Sequence, residues 1–279
     1  MRVTVRCVLF PHRLLLSAAI AAALALATAA PAPAEDVTVA AAGDIAGCSW
    51  TRDTDTADLA AAIDPDLVLT LGDNAYPDGS VWAFNNCYDP TWGRFAWKTN
   101  PAPGNHEYET DGAAGYFDYF GGRAGMCCRG YYARDVGTWR LYSLNSEESI
   151  ATQADWLRAK MREDGSECTL AYWHRPRWSD SEHGDYGSVD PLWDAFAANG
   201  GDIVLSGHDH NYQRFPKVAG VREFVVGTGG AGNYAVSPDR AVVAWVGNGV
   251  LELTLSSHWY SWKFRSTGGA VIDAGAGDC

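Results

Sequence analysis

Runs of apolar residues alternate with helical spacing through the first two thirds of this chain, and the last third reads as strands alone. Val37–Ala42 is a strand-like run, and Thr54–Ile63 follows as a helix capped by Asp53 or Thr54. Leu67–Leu71 is a second strand. Residues 80–98, rich in Trp and Phe, form a helix or an irregular segment that leads to a corner at Gly104. Tyr131–Asp135 and Thr138–Ser143 flank Val136 and Gly137 and predict a hairpin. Ala151–Glu163 places Ala154, Leu157 and Met161 on one helical face. Strand Thr169–Trp173, a helix near Pro191–Ala198 and strand Ile203–Leu205 come next. Beyond residue 212 only strands remain, at Glu223–Val226, Val242–Val246, Val250–Leu255 and Trp259–Phe264, most of them separated by glycine. The pattern is that of an α/β layered domain with two sheets and helices outside. Glu109–Arg129, with five glycines and two adjacent cysteines, is expected to be a long surface insertion.

The first residues change the picture of where the folded chain starts. Arg2, Arg6 and Arg13 precede an apolar stretch, Leu14 to Leu26, and a small-residue cleavage site, Ala32-Pro33-Ala34. That stretch is short of the roughly 20 residues that cross a bilayer, so a cleaved signal peptide over 1–34 is expected, with no stable membrane insertion and a secreted product. The remaining 35–279 suit a single domain. Losing three arginines and no acid leaves 18 basic against 34 acidic residues, a net charge of −16. Such a surface repels nucleic acid at long range, and no basic tail offsets it. Cys7 leaves with the leader. Cys48, Cys87, Cys127, Cys128, Cys168 and Cys279 remain, an even number that suits disulfides in an exported protein. Cys48 and Cys87 each follow a Gly-Asp corner and are expected to tie those loops together. No C-x-x-C spacing supports structural zinc.

Candidate chemistry gathers at the strand ends. Gly43-Asp44 follows the first strand and Gly72-Asp73-Asn74-Ala75-Tyr76 the second. Gly104-Asn105-His106-Glu107, Trp173-His174 and Gly207-His208-Asp209-His210 complete the set. Glycine beside such a residue lets the chain turn sharply after a strand. In a layered sheet, strand carboxyl ends open into one crevice. Singly, each corner is ordinary turn chemistry or a structural histidine. Five in this order read as a site for two metal ions, and so as a hydrolase.

The order of these motifs resembles the metallophosphoesterase (calcineurin-like) superfamily, and more narrowly the purple acid phosphatases. Many superfamily members carry Asp-x-His at the first corner, where this chain has Asp44-Ile45-Ala46. The second corner supplies Asp73-x-x-Tyr76 instead, as purple acid phosphatases do, and His208 to Arg214 is similar to their last motif. The resemblance implies a four-layer α/β/β/α sandwich with two mixed β-sheets and helices outside. It puts Asp44, Asp73, Tyr76 and His210 on Fe(III), and Asp73, Asn105, His174 and His208 on a divalent Zn, Fe or Mn, with Asp73 bridging. A phenolate ligand requires a strong Lewis acid, whereas neutral Asn and imidazoles suit a divalent ion. Three anionic ligands and a bridging hydroxide against those two ions leave a net of about +1, attractive to a phosphate despite the acidic surface.

The implied reaction is hydrolysis of phosphate monoesters by in-line attack of a metal-bound hydroxide on a small substrate. A phosphodiesterase with the same centre, and a non-catalytic exported metal-binding module, are the alternatives. His106, by the same resemblance, assists the leaving oxygen. His183 reads as a second proton donor or as an exposed loop histidine. Glu107, Tyr108, Arg175, Arg177 and Arg214 lie near the site in sequence, as substrate contacts or as solvated and ion-paired side chains. His258 is expected to be structural, in a late strand. Of the tryptophans, Trp156, Trp193 and Trp245 suit core packing, while Trp50 and Trp178 are candidates for the mouth of the site.

Overall fold

The computed structural model describes residues 35–126 and 128–279. The expected signal peptide and Cys127 lie outside the described residues. Alternation along the strands decides the layering. In β1 (Val37–Ala42), Val39 and Ala41 face the space between two sheets, whereas Ala40 and Ala42 face helices. In β2 (Leu67–Leu71), the three leucines face inward and Val68 outward. The same division holds in the second sheet, where Leu170 of β6 (Cys168–Tyr172) and Ile203 and Leu205 of β7 (Ile203–Ser206) point inward, against Ala171 and Val204 outward. Strands buried on both faces read as continuous apolar runs, which is why these were visible in sequence.

The first sheet runs β13-β12-β11-β1-β2-β3, and the second β10-β8-β9-β7-β6-β5-β4. Here β3 is Thr99–Ala102, β4 Tyr132–Val136, β5 Trp139–Ser143, β6 Cys168–Tyr172 and β7 Ile203–Ser206. The rest are β8 Tyr212–Arg214, β9 Arg222–Val226, β10 Val243–Trp245, β11 Gly249–Leu255, β12 Trp259–Ser266 and β13 Val271–Asp278. β1, β2 and β3 are parallel, as are β5, β6, β7 and β9, while the flanking strands pair antiparallel, so both sheets are mixed. Helices α1 (Arg52–Ile63), α2 (Val81–Ala83) and α3 (Ala114–Phe120) cover the first sheet. α4 (Ile150–Asp164) and α5 (Asp190–Ala197) cover the second. The four-layer expectation is met.

Local differences have physical reasons. α1 starts at Arg52 with Thr51 as its N-cap, and no side chain caps it. β3 went unpredicted because Pro101 and two polar residues hide a strand at the edge of the sheet. β8 is three residues long, too short for periodicity, and β13 is an edge strand whose glycines and acids disguise it. The expected surface insertion over Glu109–Arg129 instead contains α3, whose Tyr116 and Phe120 are buried. Phe120 packs edge-on against Phe84 and Tyr88. Spaced four apart, Tyr116 and Phe120 share one helical face, which the surrounding glycines obscured. Disulfides join Cys48 to Cys87, as expected, and Cys168 to Cys279. Among the described residues no helix is long and apolar enough to cross a membrane.

Candidate metal centre

Five parallel strands deliver their carboxyl ends to one edge. β1, β2 and β3 lead to Asp44, Asp73 and Asn105 on the first sheet, and β6 and β7 lead to His174 and His208 on the second. The corners are sharp. Asp44, Asp73 and His208 all hold positive φ, an unfavourable region for residues other than glycine that tends to be retained at functional sites. At Gly104 a Cβ would come within 2.4 Å of the Asp73 backbone nitrogen, so only glycine lets the third corner approach the second.

The donor atoms fall into two groups. In the first, the Tyr76 hydroxyl lies 3.2 Å from Asp44 Oδ1, 3.3 Å from Asp73 Oδ2 and 3.3 Å from His210 Nε2. His210 Nε2 is also 3.3 Å from Asp44 Oδ1. In the second, His174 Nε2 lies 3.2 Å from Asp73 Oδ2, 3.2 Å from Asn105 Oδ1 and 3.1 Å from His208 Nδ1. Asp73 Oδ2 belongs to both. Metal–donor bonds of about 2.0–2.2 Å put neighbouring ligands roughly 3–3.5 Å apart, so both groups fit an ion. Asp73, His174 and His208 form a buried set whose donors all lie within 4.8 Å of one another.

Outer partners aim each ring. His174 Nδ1 donates to the Leu71 carbonyl at 2.8 Å and His210 Nδ1 to the Gly232 carbonyl at 2.6 Å, which leaves Nε2 of both free to face the cluster. His208 is turned the other way. Its Nε2 sits 2.6 Å from the Tyr186 hydroxyl, so Nδ1 faces inward. Tyr234 stacks on the His210 ring at 4.1 Å. The backbone N–H of His208 donates to Asp44 Oδ2, tying the two sheets together across the site.

The electrostatics of the cluster suit bound cations. Burial, then the Asp73 and Asp44 carboxylates, push the Tyr76 phenol well above its ordinary range, so only a strong Lewis acid would ionise it there. Burial alone would lower the His174 imidazole, but the Asp73 carboxylate outweighs it and pushes it up to about 10. A cation must therefore displace the His174 proton. Burial, then the charges of His174 and Arg175, push His208 well below the ordinary imidazole range, the neutral form that a ligand needs.

Of the proposed proton donors, His106 donates Nδ1–H to the Pro77 carbonyl, and its Nε2 lies 3.8 Å from Asp73 Oδ2. The His183 ring packs 4.4 Å from that of His208, with Nδ1 3.0 Å from Asp209 Oδ1. The loop thus brings His183 to the edge of the cluster. Arg175 is clamped on Glu147 and reaches His208, whereas Arg177 pairs with Asp190 and Arg214 with Asp273. The Tyr108 hydroxyl accepts from the Asn145 side-chain amide, and its backbone N–H donates to the Asn105 carbonyl. His258 lies in the turn before β12 rather than in a strand, exposed and paired with Glu167. Trp178 packs on Trp193.

A family model described as calcineurin-like phosphoesterase matches residues 37–212, the span that carries every one of these corners. The chain belongs to that family. Purple acid phosphatase 15 of Arabidopsis thaliana is 27% identical over 252 residues, covering 76% of this chain and 44% of that protein, so this chain spans less than half the length of that relative. Among solved structures, the purple acid phosphatase PPD1 of yellow lupin seeds superposes with a TM-score of 0.71 at 17% identity, over 88% of this chain and 55% of its own. GAP50, the anchor in the inner membrane complex of Plasmodium, gives 0.73 at 13% identity, over 86% and 88%. Family membership and the likeness to purple acid phosphatase 15 imply a dimetal centre in this phosphoesterase.

Sequence reading undervalued Glu107 and missed Asp209, Tyr186 and Tyr234 as parts of the centre. Glu107 is fully buried, and its carboxylate accepts from the N–H groups of Asn74, Ala75 and Gly104, bracing the second corner against the third. Its place in the His106-Glu107 motif was the available signal. Tyr186 and Tyr234 sit in loops without a motif, and nothing in the sequence marks them.

Proposed function

We propose that this calcineurin-like phosphoesterase is an exported hydrolase of phosphate monoesters, its residues 35–279 forming the working domain. Asp44, Asp73, Tyr76 and His210 would hold Fe(III), and Asp73, Asn105, His174 and His208 a divalent Zn, Fe or Mn. The observation that carries this reading is the single oxygen, Asp73 Oδ2, facing both donor groups. When bound, the two ions would supply Lewis acidity that neutralises phosphoryl charge and activates water.

The chain's own residues do the rest. His106, with Nδ1–H committed to the Pro77 carbonyl, keeps Nε2 toward the cluster and can hold the proton that the leaving oxygen takes up. His183, oriented by Asp209, offers a second proton-holding imidazole on the side of His208. Buried Glu107 keeps the corners fixed in place without touching substrate. The alternative of a non-catalytic module has one observation in its favour: the same fold occurs in GAP50, described as an anchor. Fold alone does not decide activity.

Elemental analysis and a visible spectrum of the purified protein, together with turnover of a panel of mono- and diesters, test the proposal. Two ions per chain, an iron–phenolate band and a preference for monoesters are expected. A preference for diesters would move the assignment to the phosphodiesterase alternative. Tightly held metal without turnover of any ester would favour the module.

A further inference from the structure

Beside the candidate centre lies a cleft of about 330 Å³ between the first and second corners. Its walls are the rings of Trp50, Tyr76 and Trp82, and the Cys48–Cys87 bridge and Gly47 complete it. The volume is within the roughly 300–1,000 Å³ of small-molecule sites. None of its lining residues is charged, and Ser49 is the only one with an aliphatic hydroxyl. Trp82 is 61% exposed, which leaves its ring open to the cleft.

Two features make this a built site continuous with the centre. Tyr76 belongs to both: its hydroxyl stands among the donor atoms, while its ring walls the cleft and lies 4.9 Å from the ring of Trp50. The same Tyr76 ring is 4.3 Å from that of His106, the residue proposed to serve the leaving oxygen. The missing side chain at Gly47 makes room for the Trp50 indole, because a Cβ there would come within 2.6 Å of it. The turn is closed by the Trp50 N–H donating to the Gly47 carbonyl at 2.8 Å.

We propose that this cleft receives the leaving group of the substrate, and that the preferred substrates are phosphate monoesters whose leaving group carries a planar aromatic ring; this rests on the phosphatase reading above. Aromatic walls with uncharged lining recognise a flat apolar surface. A sugar or polyol would need several hydrogen-bonding side chains in the lining, and an anionic leaving group would need a cation. Arg52, the nearby cation, stands 5.9 Å from the Trp50 ring and donates its Nε–H to the Gly230 carbonyl.

The test is the affinity of the metal-loaded protein for inorganic phosphate, butylphosphonate and benzylphosphonate, measured calorimetrically. Neither phosphonate can be hydrolysed, and leaving-group reactivity does not enter. Benzylphosphonate should bind roughly tenfold more tightly than butylphosphonate. W50A and W82A should each reduce that ratio, and W50F should keep it. Trp82 is exposed, so W82A reports even if W50A proves unstable. Equal affinities for the two phosphonates, or a benzyl preference that neither tryptophan variant changes, would overturn the cleft assignment while phosphate still binds. If phosphate and both phosphonates fail to bind, the phosphatase reading fails first and takes this inference with it.

Discussion

The phenolic oxygen of Tyr76 lies 3.3 Å from Nε2 of His210, across 134 residues of sequence. Among the described residues, histidine is the only basic side chain that meets that oxygen, and two carboxylates do. Tyr76→Phe keeps the ring against Trp50 and His106 but removes the oxygen. Under the Fe(III) assignment proposed above, the expected result is a chain that melts within a few degrees of the parent, has no visible charge-transfer band and retains less iron. Absorption and metal analysis on the same sample check this, and an unchanged band would remove Tyr76 as the ligand.

His106 separates chemistry from architecture. Its backbone N–H donates to Asp73 Oδ1 at 2.8 Å, and that bond survives any change of side chain. His106→Ala should therefore leave the metal content intact while kcat falls by about 10²–10⁴. Turnover equal to the parent's would exclude the proton-donor role.

Glu107 should matter more to folding than its place in a single helical turn, Glu107–Glu109, suggests. Glu107→Ala strands three buried N–H groups, those of Asn74, Ala75 and Gly104. The loss should be about 3–5 kcal/mol of stability, with weaker metal retention, because both corners are released. Glu107→Gln keeps one acceptor oxygen and should fall between. Denaturant midpoints of the three proteins decide it.

The pH dependence of stability should carry a signature of Glu223. Burial pushes this carboxyl up to about 8, against the opposing N–H groups of Arg177 and Trp178. Its folded value lies above the unfolded 4.5, so between about 4.5 and 8 the folded chain keeps a proton that the unfolded chain releases. That stabilisation is complete below 4.5 and is lost as pH rises toward 8, with a slope of up to about 1.4 kcal/mol per pH unit. Glu223→Gln should flatten that part of the curve. Urea midpoints at pH 5, 6.5 and 8 that run parallel in parent and variant would assign the proton elsewhere.

The legible parts of this fold were those that period alone can mark. Leu67–Leu71, Ile203–Leu205 and the last four residues of Val37–Ala42 are buried on both sides, so apolar runs betray them. The corners after them were readable because Gly-Asp and Gly-His mark the end of a strand. What escaped was whatever depends on contact between distant segments. α3 stands out only once Phe120 meets Phe84 and Tyr88. β13 is a strand because β12 offers it an edge, not because Asp273 or Gly275 favours one. Tyr186 and Tyr234 reach the histidines by the path of their loops, which no spacing encodes.

Asp44, Asp73 and Asn105 hang from one sheet, whereas His174 and His208 hang from the other. Cations gripped between these two sets would act as rivets through a seam. Sliding one layer along the other by even a fraction of a bond length would then have to break coordination before it disturbed any hydrophobic packing.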